Sequence, residues 1–497
     1  MASDLYINEN KDYQLCRNPL RIRAIERIVL NSTDTGIIFF YLLLMIILGL
    51  YASKKQNSVD DYFVAGGKTG IFSIACLWLA GWIGGASIVG GVDRAYEIGI
   101  SAGWYIGSMM IGCLTFGLFF AARVTTFAKE KSILTYPELI EWKYDNRTRL
   151  VAAISAIVSF TGQTAAQLVA AALVLQSLLD IEYSTALILA TTIVVLYTTT
   201  GGFLAITYTD WVQFTIIFIG VIFIGVPVAV ENGGTYENLI AALPATHFDL
   251  GGWGWPSIIA MIASISMGFF TLADSYMRCY SAKDASTAKW GTLLAVAFLL
   301  PVMIGVIWLG LTSSFLYPDV SGDGGVLTFF VLQEFPTGLK GLLLAGILAA
   351  LMSSADICIL TASASLTKDI YHRYLNPEAS NERLHKFGML SSLMVGTVAV
   401  VIAWSLQDII DIVLISFTVS AAALFVPTIA MMYFEELNSR AAFFSSACSL
   451  ITVLLWYLGA RLGVTVFTDI DPLWPGLIVS LLFFLSGHAL LGRISAN

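Results

Sequence analysis

Long, uncharged apolar runs constrain the fold of this chain more than any other feature of its sequence. The windows 35–52, 184–200, 211–230 and 473–487 hold almost no charged residues, and each has the length needed to cross roughly 30 Å of hydrocarbon. Only 12% of the 497 residues are charged, whereas about 25% is usual for a soluble globular domain. The chain is therefore predicted to be an all-α integral membrane protein.

About thirteen segments have the length and composition of a transmembrane helix. We place them near 35–52, 70–91, 101–121, 150–179, 184–202, 206–230, 256–278, 290–315, 341–367, 386–405, 409–433, 441–460 and 473–491. Lys and Arg concentrate in the loops on one side of this topology, and the positive-inside rule makes that side cytoplasmic. We therefore predict a multi-pass protein of the plasma (inner) membrane, with the amino terminus outside and the carboxyl terminus in the cytoplasm.

The spans divide the chain into five predicted units. Residues 1–34 form a polar amino-terminal tail that lacks the pattern of a cleaved signal peptide, and 35–52 is a peripheral helix. Two blocks of five helices, 70–230 and 256–433, each open on an interrupted span, and 441–491 holds two peripheral helices. An odd number of helices inverts the second block relative to the first, and interrupted helices facing each other at the midplane are typical of a secondary transporter.

The sequence lacks the motifs of several enzyme classes. It contains no Gly-Lys-Ser phosphate loop, nucleophile elbow or HExxH motif. Its six cysteines and four histidines have no metal-ligand or disulfide spacing. We therefore expect no catalytic activity, no organic cofactor and no nucleic-acid partner, and we expect the partners to be membrane lipid and a small solute.

The stretch 79-LAGWIGGASIVGG-91 places five glycines within one predicted span. Small residues in a membrane helix allow close packing of neighbouring helices. The same composition also weakens the helix, so it could unwind at mid-depth and free carbonyl oxygens for an ion or a solute. Glycine content alone does not choose between these interpretations.

Polar side chains within the spans are costly in a bilayer and therefore informative. Ala350, Ser353 and Ser354 share one face of the span at 341–367, and Asp356 lies in the same span. A carboxylate at that depth must be paired, protonated or bound to a cation. Asp210 follows the Thr-Thr-Gly-Gly turn at 199–202 and could act only on a helix dipole, but its predicted place on the same half of the membrane as Asp356 favours a shared function.

Two further sets of polar residues have both a structural and a functional interpretation. Asp274 precedes Arg278 by one turn in the span at 256–278 and could simply pair with it. Gln163 and Gln167 share a helix face and could join helices or contact a solute. Phe270 could face lipid or line a cavity.

Four stretches together resemble the sodium:solute symporters, a family that includes proline, sugar, sialic acid and choline carriers. They are 60-DDYFVAGG-67, 199-TTGGFLAITYTDWVQ-213, 278-RCYSAKD-284 and 348-LAALMSSAD-356 with LTKDIYHRY ending at 374. The resemblance implies about thirteen transmembrane helices built on a five-plus-five inverted repeat of the leucine-transporter type. It also implies Na⁺ as the coupling ion for uptake of a small organic solute.

Carried over position by position, the resemblance implies a sodium site. Its ligands would be the carbonyl oxygens of Ala80, Ile83 and Ala350 and the hydroxyl groups of Ser353 and Ser354. Neutral oxygens at a helix break can replace the water around a hard cation such as sodium.

The resemblance also implies a second ion site and a solute site. Asp210 lies close to the family's sodium site, and with Asp356 it could hold a second sodium ion or a shared proton. The Trp82-Ile83-Gly84-Gly85 stretch resembles the choline branch, and a tryptophan face would suit a cationic solute. The residues assigned to the solute site are Trp82, Gly84, Trp104, Gln163, Phe270, Asp274 and Thr418. The branch's tryptophan in the span at 256–278 is Leu272 here, so an amino acid remains an equal candidate for the solute.

Two alternatives to sodium symport remain open at this point. The first is a proton-coupled solute symporter that uses Asp210 and Asp356. The second is a transporter-like membrane sensor that binds a solute without net flux. In the symport interpretation, sodium stabilises the arrangement that binds solute better, and this coupling must be reciprocal.

Overall fold

The structure is a computed structural model that describes residues 30–53, 67–131, 133–179, 181–320, 325–406, 408–464, 466–467 and 470–491. Most of the predicted tail (residues 1–29) and most of the motif at 60–67 lie outside the described residues. Within the described ranges the chain is helical, and its one β-type pairing is an isolated parallel bridge between Thr69 and Ala282.

Among the described residues, nineteen α-helices can be numbered in chain order. They are α1 Ser32–Ser53, α2 Ile71–Trp82, α3 Gly85–Ile98, α4 Trp104–Phe119, α5 Ala121–Lys131, α6 Tyr136–Lys143, α7 Asn146–Leu179, α8 Tyr183–Phe218, α9 Val226–Glu231, α10 Tyr236–Ala242, α11 Trp255–Thr271, α12 Ala273–Ser281, α13 Ala285–Leu316, α14 Val326–Glu334, α15 Leu339–Ala364, α16 Asn381–Ser405, α17 Ile409–Tyr433, α18 Ser439–Arg461 and α19 Leu473–Leu491. Two π-helical segments, Ile219–Gly225 and Ser365–Leu375, continue α8 and α15, and 3₁₀ turns cover Gly99–Gly103 and Ala245–Phe248.

Each of the predicted transmembrane segments lies on helix. Within the described ranges, nine helices are long and apolar enough to cross a membrane, and the bent pair α11–α12 makes a tenth. Three shorter apolar helices, Ser32–Leu48, Ile71–Trp82 and Tyr183–Val195, complete the set. The division into two five-helix blocks at 70–230 and 256–433 stays a prediction.

The amino-terminal tail ends earlier than predicted, because α1 begins at Ser32 and not after residue 34. The reason is local hydrogen bonding: the Asn31 side-chain oxygen accepts the Asp34 N–H at 2.9 Å, so the polar residues form the first helical turn. Asp34 itself accepts the N–H groups of Gly338 and Gly341, each at 2.8 Å. These bonds fasten the start of α1 to the start of α15.

Helix α15 lies at the centre of the molecule. In the span Leu339–Leu375, 94% of the most apolar window is buried, against 22% for Leu473–Leu490. The outer helices instead present large apolar side chains such as Val401, Leu455 and Leu482 outward, as expected of a lipid-facing surface. The core is therefore arranged around the helix that carries Ser353, Ser354 and Asp356.

Two helices are interrupted. The first breaks between Trp82 and Gly85, and the second bends by 46° between Thr271 and Ala273. The segments flanking these two helices pair with each other, because the Thr69 N–H donates to the Ser281 carbonyl at 2.8 Å and the Lys283 N–H donates to the Thr69 carbonyl at 3.0 Å. A clip of two backbone hydrogen bonds thus joins the chain just before α2 to the chain just after α12.

The chain breaks its helical geometry within the predicted turn at 199–202. Helix α8 continues from Tyr183 to Phe218, and only Gly202 departs from helical geometry, with φ 57° and ψ −176°. A positive φ of this kind is readily available to glycine and costly for other residues. One residue therefore makes the kink for which the sequence suggested an open turn.

Candidate functional site

The first helix interruption is built from backbone that has left the helical conformation. Ile83 has φ −85° and ψ 64°, and Gly84 is extended. A Cβ atom at Gly84 would lie 2.3 Å from the Ser354 hydroxyl and 2.7 Å from the Gln167 amide oxygen. Glycine is required here because two polar side chains approach the backbone directly, so both interpretations of the glycine-rich stretch, close packing and unwinding, apply.

The residues predicted to bind sodium converge on the Ala80 carbonyl oxygen. The Ser353 hydroxyl donates to it at 2.8 Å and the Ser354 hydroxyl at 3.2 Å. Ser353 also lies 3.1 Å from the Ala350 carbonyl oxygen, and Ile83 lies at the interruption one turn beyond Ala80. Four of the five predicted ligand groups therefore meet within hydrogen-bonding distance, contributed by α2 and α15.

The two predicted carboxylates are both buried in the interior. Asp356 accepts the Thr198 hydroxyl at 2.9 Å through one oxygen. Its other oxygen, and one oxygen of Asp210, have no hydrogen-bond partner among the described residues. Asp210 lies on α8 and Asp356 on α15, and these two helices pack against each other. Such a pair of unsatisfied acceptors is suited to a cation or a proton.

Asp274 is paired, as the i, i+4 spacing predicted. Arg278 binds its carboxylate directly, and the Trp82 indole N–H donates to the same oxygen at 3.1 Å. Arg278 also donates to the Leu77 carbonyl at 2.9 Å and lies over the Trp78 ring at 4.7 Å. The charge of Asp274 is therefore already neutralised, while one Arg278 nitrogen has no partner among the described residues.

An aromatic layer lies next to the first interruption. The Trp82 ring is 3.9 Å from the Phe269 ring and 5.4 Å from the Phe417 ring, measured between centroids. Phe270 is also buried, but it packs on the other side, against Phe120 at 4.8 Å. The layer is thus formed by Trp82, Phe269 and Phe417.

The remaining predicted solute residues lie in three different places. Gln163 is half-buried on α7, and its amide nitrogen has no partner among the described residues. The Thr418 hydroxyl is 2.9 Å from the Ser264 hydroxyl, beside the aromatic layer. Trp104 is not brought together with them: its N–H donates to the Leu250 carbonyl at 3.0 Å and its ring faces Trp255.

Gln167, for which the sequence left two interpretations open, and two residues that sequence reasoning passed over contribute to this region. The Gln167 amide oxygen accepts the Gly85 N–H at 2.7 Å, which caps the second half of the interrupted helix. Gln213, three residues after Asp210, donates to the Tyr41 hydroxyl at 3.2 Å. The shared face of Gln163 and Gln167 was the available signal for Gln167, whereas nothing in the sequence indicated the contribution of Tyr41.

The sequence matches the model of the sodium:solute symporter family over residues 62–448. It is 25% identical to the osmoregulated proline transporter OpuE of Bacillus subtilis, over 89% of this chain and 92% of that protein. It is 26% identical to the sodium/pantothenate symporter of Escherichia coli, over 90% of this chain and 94% of that protein.

The fold resembles that of a solved structure of a Na⁺-coupled sialic acid symporter in its substrate-bound, outward-open state. That likeness has a TM-score of 0.78 at 21% identity and covers 94% of this chain and 99% of the other. A second likeness is to the nucleobase-cation-symport transporter Mhp1, with a TM-score of 0.54 at 15% identity. The all-helical membrane fold of the leucine-transporter type that the sequence predicted is confirmed.

Proposed function

The chain belongs to the sodium:solute symporter family, and from that premise we propose which of its residues bind the coupling ions and the solute. It is a multi-pass membrane protein that couples the movement of Na⁺ to uptake of a small organic solute. In the proposed topology, which follows from the distribution of Lys and Arg in the loops, the amino terminus is outside and the carboxyl terminus is in the cytoplasm. We propose no catalytic activity alongside transport.

The sodium ion binds at the interruption of the first core helix. Its ligands are the carbonyl oxygens of Ala80, Ile83 and Ala350 and the hydroxyl oxygens of Ser353 and Ser354. The observation that carries this assignment is the approach of both serine hydroxyls to the Ala80 carbonyl. On binding, the hydroxyl protons turn away from that carbonyl, and all five oxygens then point to one cation.

A second cation binds between Asp210 and Asp356. When all three are ionised, the buried side chains of Asp210, Asp274 and Asp356 carry three negative charges, and the buried Arg278 contributes one positive charge. Two negative charges therefore remain in a low-dielectric interior, where uncompensated charge is costly. One sodium at the serine site and one cation at the carboxylates would balance them. That second cation is sodium or a proton, and the two differ in how uptake depends on pH.

The solute binds between the two interruptions, against Trp82 and close to Gly84, Gln163 and Thr418. Because Arg278 neutralises Asp274, the site does not offer a free carboxylate to a simple organic cation. A zwitterionic or carboxylate-bearing solute fits better, since it can approach the unpartnered Arg278 nitrogen. The named relatives, which transport proline and pantothenate, agree with this solute class.

Uptake into proteoliposomes tests this proposal. A panel containing proline, pantothenate and choline is offered under an inward sodium gradient, an equal potassium gradient and a proton gradient. Accumulation of a carboxylate-bearing solute with sodium alone is the expected result. Accumulation with protons alone would refute the sodium assignment, and binding without accumulation would favour a sensor.

The variant Ser353→Ala tests the sodium site itself. Loss of one ligand hydroxyl, at about 0.5–1.5 kcal/mol or more, should raise the sodium concentration for half-maximal uptake at least several-fold. Ser392→Ala is the matched control, because that buried hydroxyl bonds only within its own helix, to the Gly388 carbonyl. Equal sodium dependence in Ser353→Ala and the control would exclude Ser353 as a ligand.

A further inference from the structure

A cavity of about 690 Å³ opens on the face of the molecule that carries the loops before α11 and before α19. Helices α11, α17, α18 and α19 enclose it, and the positive-inside topology places this face outside the cell. Its lining includes Ser264 and also Thr418, which the proposed solute site shares. The cavity therefore borders that site, but none of its lining residues lies at the helix interruptions.

The cavity has a negative lining. Asp411 and Asp471 both line it, and its described lining residues include no Lys, Arg or His. Arg94, whose guanidinium lies over the ring of the lining residue Trp253, is engaged by Asp408 at 3.3 Å and by Glu97 at 3.2 Å. Partial burial raises the pKa of Asp471, which is in a loop, even though the Leu473 N–H opposes the effect. A cation in the cavity would compensate these carboxylates.

The lining is also aromatic. Trp253, Trp456, Tyr457 and Trp474 contribute to it. Tryptophans at this depth commonly face lipid head groups, but these line a cavity between helices that is open on one side. The Arg94 guanidinium already lies over the Trp253 ring at 5.2 Å, so one of these rings takes part in a cation–π contact within the protein itself.

The size of the cavity indicates the class of ligand. A bare sodium ion requires close oxygen ligands on all sides, which a space of 690 Å³ does not provide. Pockets of roughly 300–1,000 Å³ hold small organic molecules. Carboxylates combined with aromatic faces are the established means of binding quaternary and other substituted ammonium groups.

We propose that this outer cavity is a second binding site, distinct from the helix interruptions, that accepts a substituted ammonium group between Asp411, Asp471 and the ring of Trp474. The group belongs either to a free organic cation or to the head group of a membrane lipid. The site does not depend on the sodium assignment, since none of its residues contacts Ser353 or Ser354.

Equilibrium binding of radiolabelled tetramethylammonium to the purified full-length protein in detergent and KCl tests the proposal. We expect saturable binding that weakens at least tenfold in the double variant Asp411→Asn/Asp471→Asn. The double variant Asp319→Asn/Glu237→Gln removes two exposed carboxylates that do not line the cavity, and it should bind like the wild type. Trp474→Leu keeps both charges and should weaken binding about two- to fivefold.

Absence of saturable binding to the wild type would overturn the proposal. So would equal affinity in Asp411→Asn/Asp471→Asn and its control. Loss of binding in Trp82→Phe, with full binding in the cavity variants, would move the ammonium group to the helix interruptions. Sodium-driven uptake by the same variants separates a failed cavity from a failed transporter.

The source of the ammonium group follows from repeating the measurement in lipid nanodiscs. If tetramethylammonium binds more weakly in nanodiscs of phosphatidylcholine than in nanodiscs of phosphatidylglycerol, the occupant is a lipid head group. Equal tetramethylammonium binding in both lipids identifies a free solute.

Discussion

Asp356→Asn should separate the two proposed cation sites by their effect on stability. The side chain is fully buried, with one oxygen bonded to Thr198 at 2.9 Å and the other without a described partner. Asparagine keeps the size and can still accept the Thr198 hydroxyl, but it removes the charge. Without sodium the variant should therefore be more stable than the wild type, because an uncompensated buried charge is gone.

The magnitude follows from linkage. A ligand at 100 times its Kd stabilises the folded state by about 2.7 kcal/mol per site. Two independent sodium sites would together contribute roughly twice that amount. In Asp356→Asn only the serine site remains, so sodium should stabilise it by about half as much as it stabilises the wild type.

The assay is thermal unfolding of purified protein in detergent, in NaCl or KCl at equal ionic strength. Thr198→Val keeps the carboxylate, so sodium should still stabilise it through both sites, with a lower affinity at the second site. Asp319→Asn, an exposed change, should behave as the wild type. If sodium stabilised Asp356→Asn as much as it stabilises the wild type, a second sodium site would be refuted. If the stability of the wild type, but not of Asp356→Asn, depended on pH, the position would be assigned to a proton.

Three further changes test other contacts. Gly84→Ala should abolish sodium-dependent uptake, since its Cβ atom would lie 2.3 Å from the Ser354 hydroxyl. Gly70→Ala is the control, because its Cβ atom would have no neighbour within 4 Å, and it should transport normally in the same assay. Trp82→Phe removes the N–H that bonds Asp274, so the solute concentration for half-maximal uptake should rise several-fold while the sodium requirement stays unchanged; an unchanged solute requirement would contradict the site. Asp369→Asn should lower the free energy of unfolding by about 1–3 kcal/mol, because the Arg149 guanidinium loses its fully buried carboxylate partner but keeps Glu138 and Glu141, and denaturant or thermal unfolding that matches the wild type would contradict this.

The transmembrane segments could be predicted because hydrocarbon thickness fixes the length of an apolar run. The length of an apolar run does not reveal where a single residue kinks a helix. At Gly202 the chain stays helical on both sides of a single positive φ, so hydropathy suggested a wider turn. The start of α1 was also misplaced, because Asn31 caps polar residues into a helix that composition alone would exclude.

The candidate site could be predicted only where spacing along one helix was sufficient. The pairing of Asp274 with Arg278 followed from i, i+4 geometry. By contrast, Gln167 and Gly85 are 82 residues apart in sequence, and their contact depends on how two helices pack. For the same reason the position of Trp104 against Leu250 and Trp255 was outside the reach of sequence reasoning.

The clip between Thr69 and the Ser281–Lys283 backbone has a mechanical consequence. It ties the inner end of the first interrupted helix to the inner end of the second through two backbone hydrogen bonds. We expect those two half-helices to tilt together unless both bonds break, so they would open as one unit on the side that the proposed topology makes cytoplasmic. The ion proposed to bind at α2 and a solute bound near α12 would then be released by the same movement. Neither would be released by a movement of its own helix alone.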